Sequence, residues 1–292
     1  MQQNKGYIII NGFLREKFFS LYSALKQSAD KAGLQLELKT NIELMCDIAS
    51  GKTVANEALP PFAIFWDKDV RLAKTLEAAG MKLFNSAGAI ELCDDKSLMH
   101  IALMNRVPQP KTVLIPLTFP CVGYTDCTFL EKIAAYLGFP FVIKQCFGSF
   151  GAGVYLAGNM EEAKAALMKT AGGAAIAQQY IASSFARDIR AYIVGDKVAA
   201  AMLRHNESGD FRANVAQGGK ADAYTLSEAQ AALAVKTAQL LGCTFAGVDL
   251  LFGENGEMTV CEVNSNAHFA GISAATGVNI ADKIIEAVAQ RI

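Results

Sequence analysis

The chain has 292 residues, of which 52% are hydrophobic and 19% charged, a composition typical of folded domains rather than of disordered segments. With 27 Lys and Arg against 28 Asp and Glu, the net charge of −1 argues against a broad nucleic-acid surface. No run approaches the roughly 18 apolar residues of a membrane span, and the seven scattered cysteines contain no Cys-x-x-Cys. We therefore expect a cytoplasmic protein with reduced thiols that binds neither nucleic acid nor membrane.

The first 92 residues alternate between buried strands and helices. Apolar runs predict the strands, and apolar residues at helical spacing, followed by a glycine, predict the helices. Strands that alternate with helices imply a parallel sheet with helices packed against it. The predicted strands are 6–11, 34–38, 61–66 and 81–84, and the predicted helices are 17–32 and 70–79.

The rest of the chain predicts more strands than helices. A helix opens at Asp94 and Asp95, since acidic side chains favour the positive N-terminal end of a helix. Further predicted helices are 129–137, 160–169, 227–241 and 280–290. The predicted strands are 139–144, 154–156, 175–181, 188–195, 197–204, 244–252 and 257–263.

An acidic hairpin near the end of the chain is the sharpest local signal. Asn255-Gly256 between two alternating apolar runs predicts a two-residue type I′ turn. In that register Asp249 faces Glu262, and Asn264 lies on the same face as Glu262. Two opposed carboxylates repel unless a cation lies between them, and with the amide oxygen they form a ligand set suited to Mg²⁺. A solvent-facing pair screened by water is the alternative.

A glycine-rich loop lies between two predicted strands, at Gly148, Ser149, Gly151 and Gly153. Glycines let the backbone approach a phosphate closely and turn its N–H groups inward. Lys144 ends the preceding apolar strand and could hold a phosphate by charge attraction. The alternative for Lys144 is an edge-strand lysine that points to water.

Two arginines lie in polar or glycine-flanked segments. Strand alternation places Asp188 and Arg190 on one face, and Arg212, Ala213 and Asn214 precede Gly218-Gly219. Arginines beside a metal–phosphate site would neutralise the charge that develops in phosphoryl transfer, although surface salt bridges are the alternative. The three histidines show no metal-ligand spacing and are interpreted as structural, with His268 of interest because it follows Asn264 closely: His100, His205 and His268.

Taken together, these segments resemble the ATP-grasp superfamily and, within it, the RimK-type ligases, over about residues 94–290. The resemblance implies an α/β protein with a Rossmann-like domain over residues 1–93, a central ATP-grasp lobe with a glycine-rich lid over 94–177, and a C-terminal lobe with the metal and substrate site over 178–292. The matching stretches are Asp95-Lys96, Phe141-Val-Ile-Lys144 with the glycine loop, Gln179-Tyr180-Ile181, Asp188-Ile-Arg190, Phe211-Arg212-Ala213-Asn214, Gly247-Val-Asp249, Glu262-Val-Asn264 and Thr276-Gly277.

The resemblance also implies roles for the matching residues. ATP phosphates would meet the lysines and the loop, namely Lys96, Lys144, Gly148, Ser149, Gly151 and Gly153. The adenine pocket and the ribose would meet Gln179, Tyr180, Ile181 and Asp188. The phosphates and the reaction intermediate would meet Arg190, Arg212, Ala213 and Asn214. Two Mg²⁺ or Mn²⁺ ions would be bound by Asp249, Glu262 and Asn264.

The implied activity is an ATP-dependent ligase that joins a carboxylate to an amine through an acyl-phosphate. It would add an amino acid to a protein or small-molecule carboxylate, with a homo-oligomer left open. A dipeptide or D-amino-acid ligase, or an ATP-binding regulatory module without turnover, are the alternatives. The segment Ser265-Asn266-Ala267-His268 departs from the Ser-Ser/Ala-Pro-Gly of RimK-type ligases, so glutamate is not the expected amino acid.

Overall fold

The computed structural model describes residues 4–148, 152–213, 219–254 and 256–292. Its first unit contains strands β1 (Lys5–Ile10), β2 (Gln35–Thr40), β3 (Phe62–Trp66) and β4 (Lys82–Phe84), and helices α1 (Arg15–Lys31), α2 (Val70–Ala78) and α3 (Ala87–Asp94). All four strands are parallel, in the order β2-β1-β3-β4, as predicted. Helix α1 covers one face and α2 and α3 the other, which explains why β1 and β3 are apolar throughout.

The second unit consists of an antiparallel sheet formed by strands within residues 112–179 and of the helices around it. It contains α4 (Lys96–Ala102), β5 (Thr112–Leu114), α5 (Phe129–Leu137), β6 (Phe141–Gln145), β7 (Val154–Ala157), α6 (Met160–Lys169) and β8 (Ala175–Gln179). The strand order is β5-β8-β6-β7. Helices α5 and α6 bury their apolar side chains on one face of this sheet, so the opposite face is left to line a cleft.

The third unit is a five-stranded antiparallel sheet in which β9 is central. It contains β9 (Arg187–Val194), β10 (Lys197–His205), β11 (Lys220–Ala223), α7 (Glu228–Leu240), β12 (Phe245–Phe252), β13 (Met258–Asn264), α8 (Ala270–Thr276) and α9 (Ile280–Ala289). The strand order is β11-β10-β9-β12-β13. The domain boundaries at 93 and 177 stay predictions.

The first and third sheets share one hydrophobic core. Trp66 of β3 stacks on Phe245 of β12, with ring centroids 5.3 Å apart. Asn85, which is fully buried, donates 2.8 Å hydrogen bonds to the carbonyl oxygens of Phe245 and Ser265, and its Oδ1 accepts from the backbone N–H of Thr244 at 2.6 Å. A buried amide with its groups satisfied in this way specifies one arrangement of the two sheets.

Several short elements depart from the sequence predictions. Helix α3 was not predicted. Most of its residues are buried or partly buried, so its sequence lacks the repeating polar face by which an amphipathic helix is recognised. The predicted helix start at Asp94 is shifted: Asp94 ends α3, and the Asp95 side chain caps α4 by accepting from the N–H groups of Ser97 and Leu98. Strands β5 and β11 and helix α8 were not predicted, because three to seven residues carry too little period to detect. No helix in the described ranges is both long and apolar enough to cross a membrane.

Candidate active site

The acidic hairpin pairs Asp249 with Glu262 as predicted, but by a different route. The turn is closed one residue out of the predicted register, by a 2.6 Å hydrogen bond from Gly253 N to Glu257 O. A bulge then inserts Cys261 as an extra residue on β13 and shifts the register back. A bulge also re-aims side chains, and Cys261 lines the same cleft as Glu262. Asn255, the predicted turn residue, lies outside the described residues.

Positive charge does meet the carboxylate of Asp249, and it comes from arginines. Arg190 binds Asp249 through Nε at 2.7 Å and Nη2 at 2.6 Å. Arg204 reaches the same carboxylate at 2.9 Å and holds Asp188 through Nε at 2.6 Å and Nη2 at 2.7 Å. Asp249 is only 4% exposed, so the alternative of a water-screened pair on the surface is wrong. The buried carboxylate of Asp249 and the partly buried carboxylate of Asp188 are joined through Arg204, and Arg190 binds Asp249 as well, across β9, β10 and β12.

The two carboxyl groups of this network respond differently to burial. Burial raises the pKa of Asp249, but the charges of Arg190 and Arg204 together outweigh it and hold that pKa below its ordinary value. Burial also raises the pKa of Asp188, and its one bidentate partner, Arg204, does not fully offset this. Asp249 is therefore the firmly ionised member of the pair.

The remaining predicted metal ligands keep oxygen atoms available to the cleft. Glu262 is 3.8 Å from Lys96 Nζ, with its side chain 30% exposed, and Asn264 lines the cleft two residues further along β13. No three His, Cys, Asp or Glu side chains come together within the described ranges. Two carboxylates and one amide oxygen on a single sheet face remain a donor set that suits Mg²⁺, so the residues present fit a hard cation.

Two lysines, Lys96 and Lys144, line the cleft close to Glu262 and Cys261. Lys144 is on β6, an interior strand, so the alternative of an edge-strand lysine pointing to water is wrong. Its Nζ donates to Gln178 Oε1 at 2.7 Å and lies 3.6 Å from Cys261 Sγ. Lys96 is buried and donates to the carbonyl oxygen of Gly148 at 3.3 Å. Lys144 is thus held by neutral acceptors, whereas Lys96 also lies 3.8 Å from the Glu262 carboxylate, and both ammonium groups lie at the cleft where an anion can bind.

A buried histidine, interpreted from sequence as structural, orients the partner of Lys144. His100 Nδ1 is hydrogen-bonded to Gln109 Oε1, and Nε2 accepts from Gln178 Nε2 at 2.9 Å. These partners require neutral His100 with its proton on Nδ1. Burial, followed by the nearby lysine charges, lowers the pKa of His100 to about 4 despite the opposing bond to Gln109. Gln178 carries no sequence signal and was missed.

This histidine predicts a loss of stability in mild acid. Its pKa is about 4 when folded and 6.5 when unfolded, so the unfolded state binds more protons between these values and stability falls as pH falls. The free energy of unfolding should drop by about 3 kcal/mol from pH 6.5 to pH 4 through this group. Urea titrations of the wild type and of His100→Gln measure the difference. Equal pH slopes in both would assign the acid sensitivity to other groups.

The nucleotide side of the cleft contains the other predicted contacts. Gln179 ends β8, Tyr180 and Ile181 follow it, and all three line the cleft. Tyr180 packs edge-on against Phe211 at 6.2 Å. Arg212 and Ala213 also line it, with Arg212 bound to Asp210 at 2.7 Å. Of the glycine loop, Gly148 and Gly153 are described, and a Cβ on Gly153 (φ +72°) would come within 2.3 Å of Gln145 Oε1. The predicted Ser149, Gly151 and Asn214 lie outside the described residues.

Most of these groups border one cleft of about 720 Å³ that runs between the three sheets. Asn11 and Asp67, at the carboxyl ends of β1 and β3, also line it and were not singled out from the sequence. Asn266, after β13, lines it too and belongs to the segment noted for its departure from RimK-type ligases. His268 lies beside them, with its ring 4.7 Å from that of Phe18. The cleft thus brings together lysines, carboxylates with their arginine partners, and a group of polar side chains from the first sheet and the loop after β13.

Comparisons with known proteins identify the family from sequence and support the fold from structure. The model of the RimK-like ATP-grasp domain matches residues 94–288. The uncharacterized protein MG012 homolog of Mycoplasma pneumoniae is 31% identical over 276 residues, which cover 91% of this chain and 92% of that protein. A probable alpha-L-glutamate ligase of a Picosynechococcus strain is 43% identical over 222 residues, covering 74% and 69%. The ATP-grasp ligase PsnB, solved with a variant of its minimal precursor, Mg and ADP, has a TM-score of 0.72 at 14% identity, covering 99% of each chain.

Proposed function

Because this chain belongs to the RimK-like ATP-grasp family, we propose that it is an ATP-dependent ligase that forms an amide bond through an acyl-phosphate. The substrates are an amino acid and a carboxylate, the latter on a small molecule or a protein tail. A relative is named a probable alpha-L-glutamate ligase, and PsnB was solved with its precursor. The first name supports an amino acid as one substrate, and the second supports ATP-dependent ligation with Mg.

One observation carries the proposal: a single cleft is lined by both the cationic and the acidic groups that an acyl-phosphate reaction requires. Lys96 and Lys144 line it with ammonium groups, and Lys96 Nζ is 3.8 Å from Glu262. Asp249, Glu262 and Asn264 line the wall formed by β12 and β13. A triphosphate laid along this wall would meet cations at the lysines and a cation site where its terminal phosphate ends. Phosphoryl transfer depends chiefly on such positioning and charge neutralisation.

The cation is Mg²⁺ in this proposal, since carboxylate and amide oxygens are its preferred protein ligands, and Mn²⁺ accepts the same donors. Glu262 and Asn264 would hold it, with Asp249 sharing its carboxylate between the metal and the arginines. When bound, the metal neutralises charge on the transferred phosphoryl group. Arg190 is already fixed at Asp249, so its guanidinium adds fixed positive charge at the same place.

The reaction then has two steps. A carboxylate oxygen of one substrate attacks the γ-phosphorus of ATP, and ADP leaves. The amine of the second substrate attacks the acyl carbon, phosphate leaves, and the amine gives up a proton as the amide forms. The acyl-phosphate hydrolyses readily in water, so enclosure of the cleft favours attack by the amine. The glycine-rich loop next to Lys96 and Lys144 is the segment we assign to that enclosure.

Two other functions fit the same fold. A dipeptide or D-amino-acid ligase uses the same wall with a different pair of substrates. A regulatory module that binds ATP without turnover would not need the buried network of Asp188, Arg190, Arg204 and Asp249, which is costly to bury and rigid. That network favours an enzyme.

The test is ADP release from ATP and Mg²⁺ in the presence of paired amino acids and carboxylates. We expect most pairs to give only the background rate and one class of pair to raise ADP release at least about tenfold, with one amide formed per ADP. Mass spectrometry of the product identifies the bond. Tight ATP binding without stimulation by any pair would favour the regulatory module instead.

A further inference from the structure

Asn266, which lines the cleft, has one amide atom with a hydrogen-bond partner and one without. Asn266 Nδ2 donates to the backbone carbonyl oxygen of Asp67 at 2.6 Å. Its Oδ1 is buried and has no hydrogen-bond partner. Rotating the amide would set two oxygens against each other, so the carbonyl of Asp67 fixes the amide with Nδ2 toward it and leaves Oδ1 as the atom without a partner. A buried acceptor without a donor costs stability, and a bound ligand that donates to it would remove that cost.

The carboxylate of Asp67 beside it is also incompletely compensated. Asp67 is 7% exposed. Among the side chains that the structure describes, its one donor is Asn11 Nδ2, shared between the two carboxylate oxygens at 3.3 and 3.4 Å, and the Lys68 backbone N–H adds one bond at 2.7 Å. Among the described residues, no Lys, Arg or His forms an ion pair with Asp67, and Lys68 Nζ is directed to Asp94 Oδ1 at 2.6 Å. Burial raises the pKa of Asp67 as a result.

Both acceptors lie close to where the reacting carboxylate would be. Asp67 and Asn266 line the same cleft as Glu262 and Asn264. Asn266 follows Asn264 by two residues, so their Cα atoms are within about 7 Å of each other. An α-amino acid carries its nitrogen two bonds from its carboxyl carbon. A molecule whose ammonium group binds Asn266 can therefore place its carboxyl group near Asn264.

We propose that Asp67 and Asn266 together bind the ammonium group of an amino-acid substrate. The inference rests on the proposed function, since it assigns a substrate group to the same cleft. An ammonium group has three donors and no acceptor, so it supplies the donor that Asn266 Oδ1 lacks and the charge that Asp67 lacks. A carboxylate or phosphate placed against these two groups would meet the Asp67 carboxylate and the Asn266 oxygen and be repelled by both. Asn11 holds the carboxylate in place from the opposite side.

The proposed pocket lies where the first sheet packs on the third sheet. Asp67 and Asn11 come from the parallel sheet, whereas Asn266 comes from the loop after β13. The Asn85 hydrogen bonds to Phe245 and Ser265 hold that loop against the sheet. A displacement of about 1 Å between the two would break the hydrogen bonds to a shared ammonium group.

The test compares amino acids with their deaminated acids, in wild type and in Asp67→Asn. Calorimetric titration with Mg²⁺ and a non-hydrolysable ATP analogue gives the affinities across a panel of amino acids. The wild type should bind its best amino acid about 10–100-fold more tightly than the deaminated acid, the range expected for a hydrogen bond to a charged group. Asp67→Asn should lose most of this preference, because asparagine keeps the shape and hydrogen bonds but not the charge.

Asp69→Asn is the matched control. Asp69 caps α2 through the backbone N–H of Leu72 and is outside the cleft lining, and asparagine also caps helices well. This variant should keep the full preference. Thermal unfolding of both variants checks that each is folded.

Steady-state kinetics identify the substrate that carries the ammonium group. If Asp67→Asn raises KM only for the carboxylate substrate, the bound group is the α-ammonium of that substrate. If it raises KM only for the amine substrate, the bound group is the reacting amine in its protonated form. Either result supports the proposal. An unchanged preference for amino acid over deaminated acid in Asp67→Asn overturns it, while ADP release in the wild type reports separately on the ligase activity. Absence of any amino-acid binding to the wild type also overturns it.

Discussion

Replacing Glu262 by glutamine should lower kcat for ADP release at least about 100-fold while the protein remains folded. The variant keeps the shape of the side chain and removes its negative charge, which the proposed cation requires. Little stability should be lost, since Glu262 is partly exposed and its ion partner, Lys96, is 3.8 Å away. Steady-state kinetics at saturating ATP and Mg²⁺ measure the first effect, and thermal unfolding measures the second.

The matched control is Glu257→Gln, on the same strand–turn–strand segment. Glu257 is exposed and outside the cleft, so kcat should stay within about twofold of the wild type. Metal dependence adds a second readout, because Glu262→Gln should require a higher Mg²⁺ concentration for any remaining turnover. If Glu262→Gln turned over at a near-normal rate, the assignment of Asp249, Glu262 and Asn264 as metal ligands would be lost.

Replacing Arg204 by methionine should give the largest loss of stability, about 3–5 kcal/mol in the free energy of unfolding. Arg204 is 4% exposed and holds Asp188 and Asp249 together. Methionine fills similar space without charge, so both carboxylates would lose a buried partner, and Asp188 would lose its only bidentate one. Urea denaturation followed by circular dichroism measures the change.

A second substitution tests whether charge, rather than shape, causes that loss. In the double variant Asp188→Asn/Arg204→Met one uncompensated carboxylate is removed, so about half of the lost stability should return. Lys74→Met, which breaks an exposed ion pair with Glu91, should cost less than about 1 kcal/mol. If the double variant were no more stable than Arg204→Met, packing of the side chain would account for the effect.

Much of the fold is readable from the sequence because its signals are local. The helices and strands of the first 84 residues follow from apolar spacing and glycine caps, and the parallel order follows from their alternation. Lys144 was found because it ends an apolar strand, and the glycine loop was found because it lies between two predicted strands. The pairing of Asp249 with Glu262 was predicted correctly only because an altered turn and the Cys261 bulge compensate each other.

Arg204 shows why the rest of the site was not readable. A plain hairpin through the turn at Gly195 and Asp196 would place Leu203 opposite Asp188. A register shift between Val198 and Ala200 moves β10 by one residue and places Arg204 there instead. Because side chains alternate along a strand, that single shift moves the arginine to the cleft face. Bulges depend on which neighbouring strands pair, and that choice is not encoded in a local period.

From the sequence by itself came the secondary structure, the parallel first sheet, the acidic hairpin and the family. Tertiary structure alone decided which groups meet. It placed Asn11, Asp67 and Asn266, distant along the chain, in the lining of one cleft. It also brought His100 into hydrogen-bond contact with Gln178, which in turn accepts from Lys144. The physical reason is that apolar periodicity specifies which face of an element is buried, whereas contacts between polar groups on different elements depend on how those faces pack.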